Sequence, residues 1–160
     1  MRSIFVDWKV NAGDRRIQAS LVLFRLAGLA RRPESRWPKP FARIASALYT
    51  LLVEWTWGIE LPWATRVGPR LRIFHGTGLV VNAEAHLGAD VVLRQGVCIG
   101  SRRNDGPSPV VEDRVEFGDS AIVLGGVRIG EGSSIGAGAV VLRDVPKDGR
   151  MVGNPARLLD

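Results

Sequence analysis

From Leu61 to Pro146, aliphatic side chains recur at every sixth position. Leu61, Val67, Ile73, Leu79, Ala85, Val91 and Val97 fall in one register. Eight residues, Arg103 to Val110, intervene, and the register resumes at Val111, Phe117, Val123, Ile129, Ile135 and Val141. The fifth place of each hexad is mostly small or β-branched, as at Thr65, Thr77, Ala83, Ala89, Ser101, Ala121, Val127, Ser133 and Ala139. A helix repeats every 3.6 residues and a lone strand every two, so neither produces this period. A coil of three short flat strands does, if each strand turns one aliphatic side chain toward a shared axis. The pattern predicts a mainly β chain of about four parallel coils over residues 59–160, with the tail from Lys147 leaving the register to fold over the last coil. The intervening Arg103–Val110 segment is too polar for such a ladder and is expected to project outward as a loop, a kind of segment that commonly serves a site.

The preceding residues follow a different rhythm. Residues 1–13 read as an irregular lead-in. Asp14 can cap a helix running to about Ala30, with Ile17, Leu21, Phe24 and Leu29 as its apolar stripe. Arg31 to Pro40 contains Pro33, Pro38 and Pro40 and reads as a loop. A second helix is expected from about Phe41 to Trp57. It is apolar on most faces, which predicts burial against the first helix, the coil end or another subunit. Gly58 stops it, so residues 1–58 form a short helical segment capping residues 59–160.

Charge sharpens that boundary. The formal net charge is +6, and residues 1–60 carry 10 Lys/Arg against 5 Asp/Glu while residues 61–160 carry 12 against 11. The five tryptophans (8, 37, 55, 57 and 63) all lie before or near the boundary. A basic, Trp-bearing front end suits an anionic membrane face, and it equally suits a solvated cap whose rings pack on the coil end. No nucleic-acid-binding motif accompanies the charge, so no nucleic-acid partner is expected. Cys98 is the only cysteine, which excludes an internal disulfide and favours a reducing compartment. The first residues lack a secretory pattern, and the longest apolar run, Ile44–Val53, is ten residues, too short to span a bilayer. A cytoplasmic location is expected, with contact at the inner membrane face left open.

Thirteen hexads in register resemble the hexapeptide-repeat acyltransferases. The resemblance implies a left-handed parallel β-helix, homotrimers with sites between neighbouring subunits, and coenzyme A as the acyl carrier. Within it, Ile73 to Val81 (IFHGTGLVV) is similar to the catalytic strand of serine acetyltransferases, which carry His-Ala-Thr-Gly there. Those enzymes pair the histidine with an aspartate fifteen residues earlier, and Glu60 stands at that distance from His75 here. The resemblance implies His75 as the general base toward an acceptor hydroxyl and Glu60 as the carboxylate that fixes its tautomer. The segment Ile135–Val141, continuing to Arg143 and then Gly153–Arg157, is similar to the coenzyme A end of the family. It implies donor contacts at Asp119, Ala137, Arg143 and Arg157. His86 matches no family motif and reads as a surface residue. A zinc site built from three histidines is out of reach of a chain with two, and no metal is expected.

The chain also departs from serine acetyltransferases. They have an aspartate before the histidine, where this chain has Phe74, and an Arg-His-Pro segment where it has Pro107-Ser108-Pro109. Without those groups the carboxylate and ammonium of free serine lose their partners, a cost of ~1–3 kcal/mol each. The short helical segment, Gly58-Ile59-Glu60 and the His-Gly strand look closer to the colanic-acid and related exopolysaccharide O-acetyltransferases. The expected activity is acetyl transfer from acetyl-CoA to a hydroxyl of a saccharide or polysaccharide precursor. Serine O-acetylation and a non-catalytic β-helix scaffold are the alternatives.

Overall fold

The computed structural model describes residues 3–30, 38–103 and 105–159. Strands of two or three residues stack into three sheets that form the sides of a prism. The first side holds Ile59–Glu60, Leu79–Val81, Cys98–Gly100, Ile122–Leu124 and Val140–Val141. The second holds Arg66–Val67, His86–Leu87, Val110–Val111 and Arg128–Ile129. The third holds Arg72–Phe74, Val92–Arg94, Glu116–Phe117, Ser134–Ile135 and Arg150–Val152, and antiparallel Arg157–Leu158 ends it. All other pairings are parallel, so the expected parallel β-helix of about four coils is present. The tail folds back over its last layer.

The inward ladder is not in one even register. Ile73 stacks on Leu93 and Val67 on Leu87, each 20 residues on, whereas Val123 stacks on Val141, 18 residues on. The ladder positions of the second coil are therefore Val81, Leu87 and Leu93, and Ile99 opens the third. Leu79, Ala85, Val91 and Val97, which an even count of six places in the ladder, lie two residues earlier; they are equally buried, so the slip costs no core. Thr77 and Ala83 are correspondingly exposed. The extra two residues lie in one turn, Phe74 to Gly78. A second change of length follows, since Val92 pairs with Glu116, 24 positions on. The base of the inserted loop is held against the coil. Arg102 folds onto the coil, its guanidinium donating to the carbonyls of Leu124 and Leu142, and Pro107 lies so close to Gly126 that a Cβ there would meet it at 2.7 Å.

The first coil needs a cap because its strand edges would otherwise expose unpaired backbone groups. The lead-in supplies it. Asp7 and Asn11 are buried, and their side chains take the place of a neighbouring strand. Asp7 Oδ1 accepts from Leu71 N–H (2.9 Å), Asn11 Oδ1 accepts from Ile73 N–H (2.9 Å), and Asn11 Nδ2 donates to Leu71 O (2.8 Å). Arg25 grips Asp7 in a bidentate pair at 2.8 and 3.0 Å and donates to the carbonyls of Val67 and Gly68.

Helix α1 (Arg15–Ala30) starts as expected, with Asp14 Oδ1 accepting from Ile17 N–H at 3.0 Å. It buries Ile17, Leu21, Phe24 and Ala27 in the same apolar core as the first coil. The expected loop Arg31–Pro40 lies mostly outside the described residues. Helix α2 (Lys39–Tyr49) continues into a π-helical turn, Thr50–Thr56. Tyr49 and Val53 are buried, and Tyr49 donates to Leu61 O at 2.5 Å. The opposite face is covered by neither the first helix nor the coil end: Phe41, Ile44, Leu48, Leu51, Leu52 and Trp55 are exposed in this chain, Trp55 to 78%. No helix among the described residues is long and apolar enough to cross a membrane.

Candidate active site

Each coil turns from the third sheet into the first along one edge of the prism. Successive layers place His75, Gln95, Asp119 and Ala137 on that edge. Backbone bonds lock the layers together: Gly96 N–H donates to Thr77 O (3.0 Å), Ser120 N–H to Gln95 O (2.9 Å) and Gly138 N–H to Asp119 O (2.8 Å). Three layer spacings of ~4.8 Å put about 14 Å between His75 and Ala137. At this edge the chain bends sharply, and Gly118 sits so tightly under the next layer that a Cβ would come within 2.5 Å of Ala137 N.

His75 stands out from this edge because of the lengthened turn. Its φ is +65°, followed by Gly76 at +70° and Gly78 at +72°. Arg70, Asp90, Arg114, Ser120 and Asp148 also have positive φ, but each lies at an ordinary corner of a coil. His75 is in the two-residue excess, so its side chain is exposed rather than stacked into the ladder. Arg16 of α1 donates to the His75 carbonyl and ties the turn to the cap.

Glu60 is exposed on the flat outer face of the first sheet, in register with Val80 of the next layer. The column continues through Cys98, Ile122 and Val140. Within this isolated chain no hydrogen bond or ion pair joins Glu60 to His75 among the described residues. The charge of Glu60 is nonetheless felt nearby. Burial and then the Glu60 carboxylate push the Cys98 thiol above its ordinary pKa. Burial chiefly, and Glu60 less, also raise Glu54 on the π-helical turn.

The remaining candidates divide. Asp119 is half-buried and Ala137 exposed, and the structure brings both onto the His75 edge. Arg157 is exposed at the top of that edge, paired with Val152, while Ala156 N–H donates to Val140 O at 2.8 Å. Arg143 is exposed two residues past Val141, at the other margin of the first sheet, and is not brought together with Arg157. His86 is exposed on the second sheet, away from the edge. No group of three or more potential metal-binding side chains occurs among the described residues.

Sequence reasoning missed three features: the Arg16 tie, the folded-back Arg102 and the surroundings of Phe74. The guanidiniums of Arg72 and Arg94 both lie over the Phe74 ring, at 4.3 and 4.7 Å from its centre. Arg72 is two residues from Phe74 on one strand, a readable signal. Arg94 arrives only through the 20-residue register that an even count of six conceals.

A short-stranded parallel β-helix with a histidine thrown out on one edge defines a hexapeptide-repeat transferase scaffold. The sequence model described as bacterial transferase hexapeptide (six repeats) matches residues 108–143. A putative colanic acid biosynthesis acetyltransferase, WcaB of Escherichia coli K12, is 38% identical over 159 residues, covering 95% of this chain and 96% of that protein. The serine acetyltransferases of Bacillus licheniformis and Synechococcus elongatus are 35% and 39% identical over 73% of this chain, which spans 60% and 47% of their lengths. The soybean serine acetyltransferase apoenzyme superposes with a TM-score of 0.81 at 29% identity, over 96% of this chain and 66% of that one. The chain belongs to the hexapeptide-repeat acetyltransferases.

Proposed function

We propose that the protein is an acetyl-CoA-dependent O-acetyltransferase acting on a saccharide hydroxyl, with His75 as general base. The observation that carries this reading is the lengthened turn, which sets His75 on the same edge as Asp119 and Ala137. The thin pantetheine arm of the donor lies along that edge, with Arg157 near its far end and Arg143 within reach of the nucleotide only from the other margin. A neutral imidazole removes the acceptor proton as the hydroxyl oxygen attacks the thioester carbonyl, worth typically ~10²–10⁴-fold. Glu60 stabilises the imidazolium, which requires its side chain to swing toward the edge. The tetrahedral intermediate collapses by breaking the carbon–sulfur bond, and the imidazolium returns its proton to the leaving thiolate. The products are an acetyl ester and free coenzyme A, with no acyl-enzyme.

Similarity over nearly the full length of a putative colanic acid biosynthesis acetyltransferase supports a saccharide acceptor. Serine is a poorer fit, because Phe74 stands where serine acetyltransferases carry an aspartate that helps hold the amino acid. A homotrimer, in which a neighbour completes the groove beside His75, accompanies this reading. So does a cytoplasmic location with the outer face of α2 on an anionic membrane: Phe41, Ile44, Leu48, Leu51 and Trp55 form its apolar arc, and no Asp or Glu lies between Lys39 and Val53. The test is thiol release from acetyl-CoA with sugars and with L-serine as acceptors. Turnover with sugars and none with serine supports the proposal; turnover confined to serine overturns it.

A further inference from the structure

We propose that Arg72, Phe74 and Arg94 form an anion seat beside His75, and that the acceptor carries a carboxylate or phosphate which this seat holds. The inference rests on His75 being the base. Arg72 and Phe74 project outward from one strand, and Arg94 projects from the next, with Phe74 and Arg94 in register. Both guanidiniums lie over the one ring, at 4.3 and 4.7 Å from its centre. Arg25, Arg70, Arg114 and Arg128 each hold a carboxylate. Arg72 and Arg94 hold none among the described residues. Asp90 on the same face is taken by Arg70, and Glu116, exposed one layer beyond Val92, pairs with neither.

Two like charges gathered on one ring repel each other, and an anion bound to both offsets that repulsion. The ring braces both side chains, so less rotamer freedom is lost when their planar donors meet a carboxylate or phosphate. Phe74 is bonded directly to His75, whose Cα is about 3.8 Å away. An anion seated there leaves a hydroxyl of the same sugar within reach of the imidazole. A hollow of about 370 Å³, lined in part by Lys9, Arg70, Arg72 and Asp90, lies beside Arg72 on the side away from the edge. The donor also carries phosphates. Its edge, however, runs from His75 toward the last layers, whereas Arg72 and Arg94 stand on the first two.

The experiment compares glucose, glucuronic acid and glucose 1-phosphate as acceptors, and follows glucuronic acid binding by ligand-observed NMR. The charged acceptors are expected to exceed glucose in kcat/KM by about tenfold or more at low salt, with the advantage shrinking at high salt. The double variant Arg72→Gln, Arg94→Gln loses that preference and the glucuronic acid signal, while its KM for acetyl-CoA moves less than about twofold. Equal use of glucose and the charged acceptors overturns the proposal, and so does a double variant whose only defect is a raised KM for acetyl-CoA. If no acceptor turns over but glucuronic acid still binds and is lost in the double variant, the seat stands and the acetyl-transfer reading fails.

Discussion

The lengthened turn makes a graded prediction for glycine-to-alanine substitutions. Gly100 has no positive φ and open space where a Cβ would go, so Gly100→Ala changes little, or stabilises by a few tenths of a kcal/mol through the unfolded chain. Gly138 also faces open space, but its φ is +65°. Gly138→Ala therefore isolates the backbone cost of a left-handed alanine, about 1–2 kcal/mol. Gly76 combines φ +70° with a Cβ position 2.9 Å from Ile59 Cδ1 and 3.1 Å from Ile17 Cδ1. Both neighbours belong to the buried core, so overpacking adds about 1–3 kcal/mol and the total reaches roughly 2–5 kcal/mol. Urea unfolding at fixed protein concentration ranks the three variants. A Gly76→Ala loss no larger than that of Gly138→Ala would show that the turn is not pressed between α1 and the first strand, and the placement of His75 would lose its physical cause.

Asp7→Ala removes the acceptor shared by Arg25 and Leu71 N–H, leaving a largely buried guanidinium without its carboxylate; unfolding should show a loss of about 3–5 kcal/mol, and a loss under about 1 would refute the cap. Because burial and then Glu60 hold the Cys98 thiol above its ordinary pKa, alkylation by iodoacetamide near neutral pH should be slow, and Glu60→Gln should speed it. An unchanged rate would place the carboxylate elsewhere. Asp90, Glu112 and Glu131 are held below the ordinary carboxylate range, chiefly by hydrogen bonds from Arg70, Arg128 and Lys147 respectively. A lowered folded pKa adds stability that is complete above the unfolded value of ~4 and is lost as pH falls through the folded value. The stability read by chemical unfolding should therefore fall on acidification below that range, with a shallower decline in high salt, and a stability flat through this window would contradict it.

The architecture was legible because one side chain per strand faces the axis, which writes the coil into the sequence as a period of six. The two-residue slip was concealed because both Leu79 and Val81 are aliphatic and buried, so either continues the count. Asp14 announced α1 through its cap, whereas Asp7 and Asn11 act over sixty positions and leave no local signature. The exposed face of α2 could not be inferred from composition, since apolar residues occupy both its buried and its outer sides. His75 was legible from its glycine neighbours and its resemblance to a known strand. The cluster around Phe74 depended on pairing between coils.

The central claim is that the His75 imidazole carries the acceptor proton during acetyl transfer. The direct measurement is kcat for acetyl-CoA-dependent acetylation by His75→Ala beside the parent protein, with the KM for acetyl-CoA and the unfolding midpoint taken on both. A kcat lower by about 10²–10⁴-fold is expected for the variant, with the other two quantities nearly unchanged. Full turnover by the variant would contradict it.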